Sequence, residues 1–291
     1  MSATDKKTGS PEWVEHLIHN FWASSEQNTL NNGTGEKAWG EPMVAFARGD
    51  DPLFARFKKD IGPFYWLPEE AWRMKFPDEE ISAKELSVIV YLLPQTPETR
   101  ADQKLAMEVP AERWARSRDF GEKFNCALRL HLAAQMTAAG FPAVAPERLP
   151  DFAYQESEQF GIASNWSERH TAHAAGLGTF GLSDGLITVK GKAVRFGSVV
   201  AKIDLPATVR PYTDFQQWCL WHAKGTCGAC IRRCPPRAIT PAGHDKNNCF
   251  DYIRNVTAPY AQSTFGTEAT PCGLCQVKIP CEDRIPPALI K

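Results

Sequence analysis

Residues 219–235 are CLWHAKGTCGACIRRCP, and Cys249, Cys272, Cys275 and Cys281 follow before the chain ends. Eight of the nine cysteines lie in this stretch. The run C-x2-C-x3-C-P matches the end of the bacterial two-cluster ferredoxin motif, C-x2-C-x2-C-x3-C-P. Proline after the last cysteine stops the chain from continuing as a helix while the thiolate turns away. The spacing therefore indicates iron–sulfur chemistry.

A four-iron cluster needs four thiolates. Lys224 occupies the position of the usual first ligand, three residues before Cys227, and we expect Cys219 to replace that ligand through a longer loop. In the two-cluster motif the last cysteine of the run ligates the other cluster. We therefore assign one [4Fe-4S] cluster to Cys219, Cys227, Cys230 and Cys281, and the other to Cys234, Cys249, Cys272 and Cys275.

Three other interpretations of the cysteines stay open: a zinc site, disulfides, and buried thiols. Zinc favours two C-x2-C pairs, which Cys227 and Cys230 could form with Cys272 and Cys275. That arrangement leaves the other four cysteines of the stretch without a role. Clustered cysteines in a reducing compartment favour metal over disulfides.

The 291 residues suffice for a large core, and the formal net charge of -1 gives no electrostatic case for a nucleic acid or an anionic membrane. We therefore consider a nucleic-acid partner unlikely and expect no membrane partner. The N-terminal MSATDKKTGSPEW carries no apolar run or twin arginine, and no segment approaches a membrane span in length. The expected location is the cytoplasm.

Apolar periodicity outlines the N-terminal part. Helices are predicted from Pro11, after the capping Ser10, and over 51–61, with a polar loop at 25–50. The nearly continuous apolar run 86–93 predicts a central strand buried on both faces.

The longest helix is predicted over 111–139, where apolar residues, among them Phe124 and Leu128, recur every four residues. We expect Leu130 and Cys126 to lie on a second buried face, with Cys126 as a core thiol. A short strand is predicted at 141–144.

Segments 185–189 and 193–203 predict a hairpin around Gly191. We place a domain boundary after Pro206, with an α/β cofactor- and substrate-binding domain at 1–206 and a two-cluster domain at 207–291.

A second informative stretch is residues 167–183, SERHTAHAAGLGTFGLS. A short helix is expected to end at Gly176, and the glycines allow close approach of the backbone to a neighbour. No strand precedes the turn, which disfavours a Rossmann site. A tight turn between helix and hairpin is the simpler interpretation.

The order of an AGLG-x-x-G turn, two strands, CGACIRRCPPRAI and a late C-x2-C-Q resembles epoxyqueuosine reductase and the wider family that includes reductive dehalogenases. The resemblance is strongest over residues 160–285. It implies an α+β fold: a core related to flavin nitroreductases, followed by a ferredoxin-like domain with two [4Fe-4S] clusters. It also implies cobalamin, with flavin as the alternative cofactor, and an external ferredoxin or flavodoxin as electron donor.

The resemblance also implies where cobalamin and substrate bind. In the epoxyqueuosine reductases an acidic residue precedes the matching E-R pair, and here that position is Ile162, so the proton donor must differ. The candidate catalytic residues are Tyr154, Ser164 and Asn165. The candidate cofactor-binding residues are Arg169, His170, Gly176, Leu177, Gly178, Gly181, Ser183 and Arg195.

The leading hypothesis is a cobalamin-dependent iron–sulfur reductase in which electrons pass through both clusters to cobalt and then to a small organic substrate. Two alternatives remain: a redox protein that reduces a corrinoid or metal centre on a partner, and a flavin-dependent reductase on the same scaffold.

Overall fold

The computed structural model describes residues 7–290. Residues 1–6, the start of the N-terminal segment that carries no apolar run, lie outside this range. The strands of the described residues are β1 (Met43–Arg48), β2 (Leu86–Pro94), β3 (Ala143–Val144), β4 (Tyr154–Ser157), β5 (Gly161–Ser164), β6 (Gly178–Phe180), β7 (Leu186–Thr188), β8 (Val194–Lys202), β9 (Ile239–Thr240) and β10 (Gly243–His244). The α-helices are α1 (Pro11–Ser24), α2 (Pro52–Ile61), α3 (Pro68–Lys75), α4 (Pro97–Leu105), α5 (Glu112–Ala138), α6 (Glu168–Ala174), α7 (Leu220–Lys224), α8 (Ala229–Arg232), α9 (Lys246–Tyr252) and α10 (Ala258–Phe265).

An antiparallel sheet of order β1-β2-β8-β3 forms the centre of the molecule. Alternate side chains of β2 face opposite layers because successive residues of a strand point to opposite faces. Val88 and Val90 pack towards α2, α3 and α6, whereas Ile89 and Tyr91 pack towards α1 and α5. Mixed helix and sheet are thus arranged in three layers, and the predicted strand buried on both faces is confirmed.

Local signals place several elements correctly. The hydroxyl of Ser10 accepts a hydrogen bond from the Trp13 amide at 3.2 Å and caps α1. Asp51 caps α2 in the same way, accepting from the Leu53 amide at 3.0 Å. The expected loop at 25–50 is wrong at its end, because β1 forms there by pairing with β2 over six residue pairs.

Helix α5 forms as predicted, but its second face is not buried. Leu130 is 52% exposed. Cys126 is half-buried beside a charged cluster, where its Sγ lies 3.8 Å from a guanidinium nitrogen of Arg129 and of Arg148. The predicted core thiol is therefore a thiol at the edge of polar groups.

The predicted hairpin of 185–189 with 193–203 is wrong. β7 pairs with β6, and β8 pairs with β2 and β3. The C-terminal segment lies against the chain between β7 and β8: the amide of Lys192 donates to Cys281 O at 2.8 Å, and that of Ala193 to Glu282 O at 3.0 Å. These amides are consequently unavailable to a hairpin partner.

Residues 207–290 contain short helices, the β9–β10 ribbon and a π-helical turn at Ile253–Thr257. Buried Glu282 joins this segment to α4, with Oε1 3.3 Å from Nε of Arg100 and 2.9 Å from Nζ of Lys104. The side-chain amide of Gln103 donates to Cys272 O at 2.7 Å. The boundary after residue 206 stays a prediction. No helix among residues 7–290 is long and apolar enough to cross a bilayer.

Candidate functional site

The eight cysteines of the C-terminal segment surround two cavities. The first cavity is lined by Cys219, Cys227, Cys230 and Cys281. Its apolar wall includes Leu182 and Ile187, which belong to a buried cluster with Trp218. The second cavity, of about 160 Å³, is lined by Cys234, Cys249, Cys272 and Cys275. The two sets of four are those that the spacing predicts.

All nine cysteines are free thiols in the structure. Among residues 7–290, no three His, Cys, Asp or Glu side chains converge closely enough to hold a single metal ion. The thiols surround spaces instead of meeting at one point, and four thiol donors around a cavity match the donor set of a four-iron cluster.

The thiols do not ionise readily on their own. Burial, together with neighbouring cysteine thiolates, raises the pKa of Cys249 and of Cys272 to about 12. Burial likewise raises the pKa of Cys281 to about 11, with Lys192 opposing. Iron is a stronger local charge than any of these side chains and deprotonates coordinating thiols. The donor chemistry therefore fits cationic iron in each cavity.

Lys192 is a buried cation that lines both cysteine cavities, and sequence reasoning missed it. Its Nζ donates to the hydroxyl of Ser183. Burial lowers the pKa of Lys192, but the surrounding cysteine thiolates outweigh this and raise it above its usual range. When the thiols are ionised, as bound iron would make them, the lysine stays charged and offsets negative charge between the two thiol sets.

A third cavity, of about 270 Å³, lies next to the second cysteine cavity, and we call it the site cavity. It shares Arg169, Gly185, Lys192 and Gln276 with that cysteine cavity. Its other lining residues come from α5, β4, β5, α6, β7, β8 and the connecting segments: Arg129, Glu147, Phe152, Tyr154, Ser164, Trp166, Ser167, Glu168, Leu186, Val194, Arg195 and Phe196. One layer of side chains thus separates a thiol set from a space for a ligand.

Four predicted residues line the site cavity. Tyr154 stands on its rim and is 69% exposed, so the cavity opens to solvent there. Ser164 donates its hydroxyl to Trp166 O at 2.7 Å. Arg169 donates to Asp184 O at 2.7 Å, and Arg195 donates to Glu122 at 2.5 Å.

The other predicted residues have different places. Asn165 is buried outside the site cavity, where its amide donates to Asp151 O and accepts from the Ala153 amide, so it fixes the chain before β4. Ser183 lines the second cysteine cavity and Gly181 the first. His170 lines a separate cavity beside α6.

The glycine turn at residues 176–178 packs against other segments of this chain. Gly176 has a φ of +86°, which favours glycine, and Leu177 is buried in the core. A Cβ on Gly178 would lie 2.4 Å from Ile187 O, because β7 pairs with β6 at that point. The close backbone approach expected at Gly178 is therefore an approach of strand to strand.

A buried charge network closes the back of the site cavity. Arg129, 1% exposed, lies 2.5 Å from Glu147, 3.2 Å from Glu122 and 3.3 Å from Glu168. Burial raises the pKa of Glu168 to about 7; Arg129 opposes this and Glu147 adds to it. A carboxyl group with this pKa exchanges a proton near neutral pH. Sequence reasoning did not predict this raised pKa, because Glu168 entered it only as part of the E-R pair with Arg169.

The space beside Arg195 continues into a cavity of about 190 Å³ that shares Val194, Arg195 and Gln276 with the site cavity. Gln95 and Trp114 line it, and Gln95 Oε1 and Trp114 Nε1 are buried without hydrogen-bond partners among the described residues. Amide groups at the edge of a corrinoid would supply partners for both atoms, so these two atoms are compatible with such a cofactor.

The fold is similar to that of solved reductases. A catabolic reductive dehalogenase in complex with 3-bromo-4-hydroxybenzoic acid aligns over 94% of this chain and 37% of its own, with 15% identity and a TM-score of 0.51. An epoxyqueuosine reductase with an epoxyqueuosine-modified tRNA stem loop aligns over 93% and 65%, with 15% identity and a TM-score of 0.46. Epoxyqueuosine reductase from Bacillus subtilis aligns over 96% and 68%, with 15% identity and a TM-score of 0.46.

The chain spans about two thirds of the length of the epoxyqueuosine reductases and about a third of the dehalogenase. No protein-family profile and no curated protein sequence matches it. The resemblance inferred from the sequence is confirmed at the level of the fold. The prediction that a nucleic-acid partner is unlikely stays a prediction.

Proposed function

We propose that this chain is an iron–sulfur reductase that delivers electrons to a small organic substrate in the site cavity. The observation that carries the proposal is that the two sets of four cysteines surround separate cavities, one of which shares four lining residues with the site cavity. A wall of shared side chains provides a short path from a cluster to a ligand. The similarity in fold to reductases agrees with this assignment.

Each thiol set would hold one [4Fe-4S] cluster. Lys192, charged and buried against both sets, would stabilise the reduced, more negative state of the clusters. Residues 207–291 would then act as the ferredoxin-like domain, with an external ferredoxin or flavodoxin as donor.

Cobalamin is the proposed cofactor beside the second cluster, with flavin as the alternative. When bound, a corrinoid supplies a metal centre for two-electron reduction. Arg169, Arg195 and Gln95 would hold its polar edge, because their side chains line the joined cavities. Gly176, Leu177 and Gly178 would support this site only indirectly, through the packing of β6 on β7.

Reduction of an organic substrate consumes a proton, and we assign its delivery to Glu168. The carboxyl group lines the site cavity and has a pKa of about 7, so a large fraction is protonated at neutral pH. Arg129, which is also paired with Glu122 and Glu147, lies 3.3 Å from Glu168 and fixes its position. Tyr154 at the rim and Ser164 would orient the substrate.

Anaerobic purification followed by iron, acid-labile sulfide and absorption measurements tests this proposal. We expect about eight iron atoms per chain, from two four-iron clusters, together with corrin bands. About four iron atoms would overturn the two-cluster assignment, and zinc without sulfide would overturn the class. Flavin bands would show that the cofactor is flavin and not cobalamin. Iron–sulfur absorption alone would favour a protein that reduces a centre on a partner.

A further inference from the structure

A cavity of about 560 Å³ lies on the other side of α6 from the site cavity, and we call it the histidine cavity. The two cavities share no lining residue. Glu168 and Arg169 of α6 line the site cavity, whereas His170 and His173 line the histidine cavity. Its volume falls within the range of small-molecule sites, roughly 300–1,000 Å³.

Aromatic rings form much of the wall. The ring centroids of Phe57 and His170 are 4.9 Å apart, and those of Phe215 and His173 are 4.8 Å apart. Tyr212 stacks on His173 at 5.0 Å with an angle of 21°. Flat surfaces of this kind favour a planar ligand, because aromatic groups stack with offset faces or meet edge to face.

The charged side chains of the wall are neutralised in pairs. Nε of Arg56 lies 3.4 Å from Asp60, and Nη1 of Arg210 lies 2.7 Å from Asp51 and 3.1 Å from Ala174 O. Neither guanidinium is left without a partner. The cavity therefore favours an uncharged ligand over an anion.

The imidazoles supply a directed polar contact. Nδ1 of His173 is 2.8 Å from Gly178 O. A carbonyl oxygen only accepts, so Nδ1 carries the hydrogen and Nε2 keeps its lone pair. The structure gives Nε2 of His173 no hydrogen-bond partner within residues 7–290. Burial lowers the pKa of both histidines, that of His170 to about 3, so the rings are neutral at pH 7.

We propose that the histidine cavity is a second small-molecule site, which takes an uncharged planar aromatic ligand carrying a hydroxyl or N–H donor. The ring of the ligand packs between Phe57, Phe215 and Tyr212. Its donor bonds to Nε2 of His173. This site is independent of the clusters and of the reductase chemistry proposed for the site cavity.

Calorimetric titration of the anaerobically purified protein at pH 7.5 tests the proposal with three probes of the same ring size. We expect 1-naphthol to bind at about one site per chain and about tenfold more tightly than naphthalene, which lacks the donor. We expect 1-naphthoate, which is charged, to bind more weakly than 1-naphthol. Absence of 1-naphthol binding, or preference for 1-naphthoate, would overturn the proposal.

Two variants locate the binding. Gln216→Trp places a large ring in the histidine cavity and should abolish 1-naphthol binding; Gln27→Trp, at an exposed position, is the matched control and should not. His173→Phe keeps the aromatic wall and should remove only the tenfold preference for 1-naphthol. Its melting temperature is recorded as well, because Gly178 O loses its partner. Undiminished binding in Gln216→Trp would refute the site, whatever the iron content or activity of the protein.

Discussion

The central sheet and the cysteine-rich segment are stabilised differently. Every residue of β2 from Leu86 to Leu93 is buried, and the layers on both sides of the sheet are apolar. The helices nearest the cysteines have only four to eight residues, and most of the thiols are half-buried. Apolar burial stabilises the sheet without a ligand, whereas the short elements around the thiols would, with the proposed clusters, take part of their stability from metal binding. Folding and cluster binding should therefore be separable by mutation.

Cys272→Ala should show the largest effect. Removal of one ligand of the second set should lower iron from about eight to about four atoms and turnover by at least about 1,000-fold, because electrons no longer reach the site cavity. Circular dichroism should retain the signal of the sheet and its helices. Iron analysis measures the iron content and steady-state kinetics measures the turnover. Loss of the whole fold would contradict the proposed separation of folding from cluster binding.

Leu132→Ala should give the opposite pattern. This side chain is buried on α5 against the sheet, so truncation should lower the free energy of unfolding by ~2–5 kcal/mol. Iron content should stay unchanged in the folded protein. Leu130→Ala on the same helix is the control, since Leu130 is 52% exposed and its truncation should cost less than ~1 kcal/mol. Equal denaturation midpoints for the two variants would refute the buried assignment of Leu132.

Glu168→Gln tests the site cavity, which lies between the central sheet and the cysteine-rich segment. We expect turnover to fall about 100-fold with iron content preserved, since the amide has no proton to give. In the unmutated protein, turnover should decline as pH rises through about 7, because the donor is the protonated form. That decline should be absent in the variant. Glu158→Gln, at an exposed position, serves as control, and a normal pH profile in Glu168→Gln would exclude this donor.

The same carboxyl group should affect stability in a defined direction. Its folded pKa lies above its unfolded value of about 4.5, so between about pH 4.5 and 7 the unfolded state releases the proton first. Stability should therefore fall as pH rises through this window, and Glu168→Gln should flatten the fall. Urea unfolding of both proteins at pH 5 and 7 measures it, and parallel curves would contradict the raised pKa.

Cys126→Ala should have the smallest effect. The thiol lies near Arg129 and Arg148 at the edge of the charge network, far in sequence from the other eight cysteines. We expect a change in unfolding free energy below ~1 kcal/mol and no loss of iron. Loss of about four iron atoms would mean that Cys126 is a ligand and would break the division into two thiol sets.

The sequence by itself determined the features that depend on near neighbours. Proline and a capping hydroxyl begin α1, an unbroken apolar run produces β2, and cysteine spacing predicts two sets of four thiols that the cavities also separate. Spacing suffices here because each signal acts within a few residues.

The tertiary structure decided what depends on distant segments. The backbone carbonyls of residues 281–282 accept hydrogen bonds from the amides of Lys192 and Ala193, and so prevent the hairpin that local alternation predicts. Glu168 acquires its raised pKa from burial beside Arg129 and Glu147, and Lys192 becomes a buried cation only because two thiol sets fold around it. Burial and nearby charges shift a pKa, and both come from residues that are far apart in the chain, so no local sequence pattern predicts them.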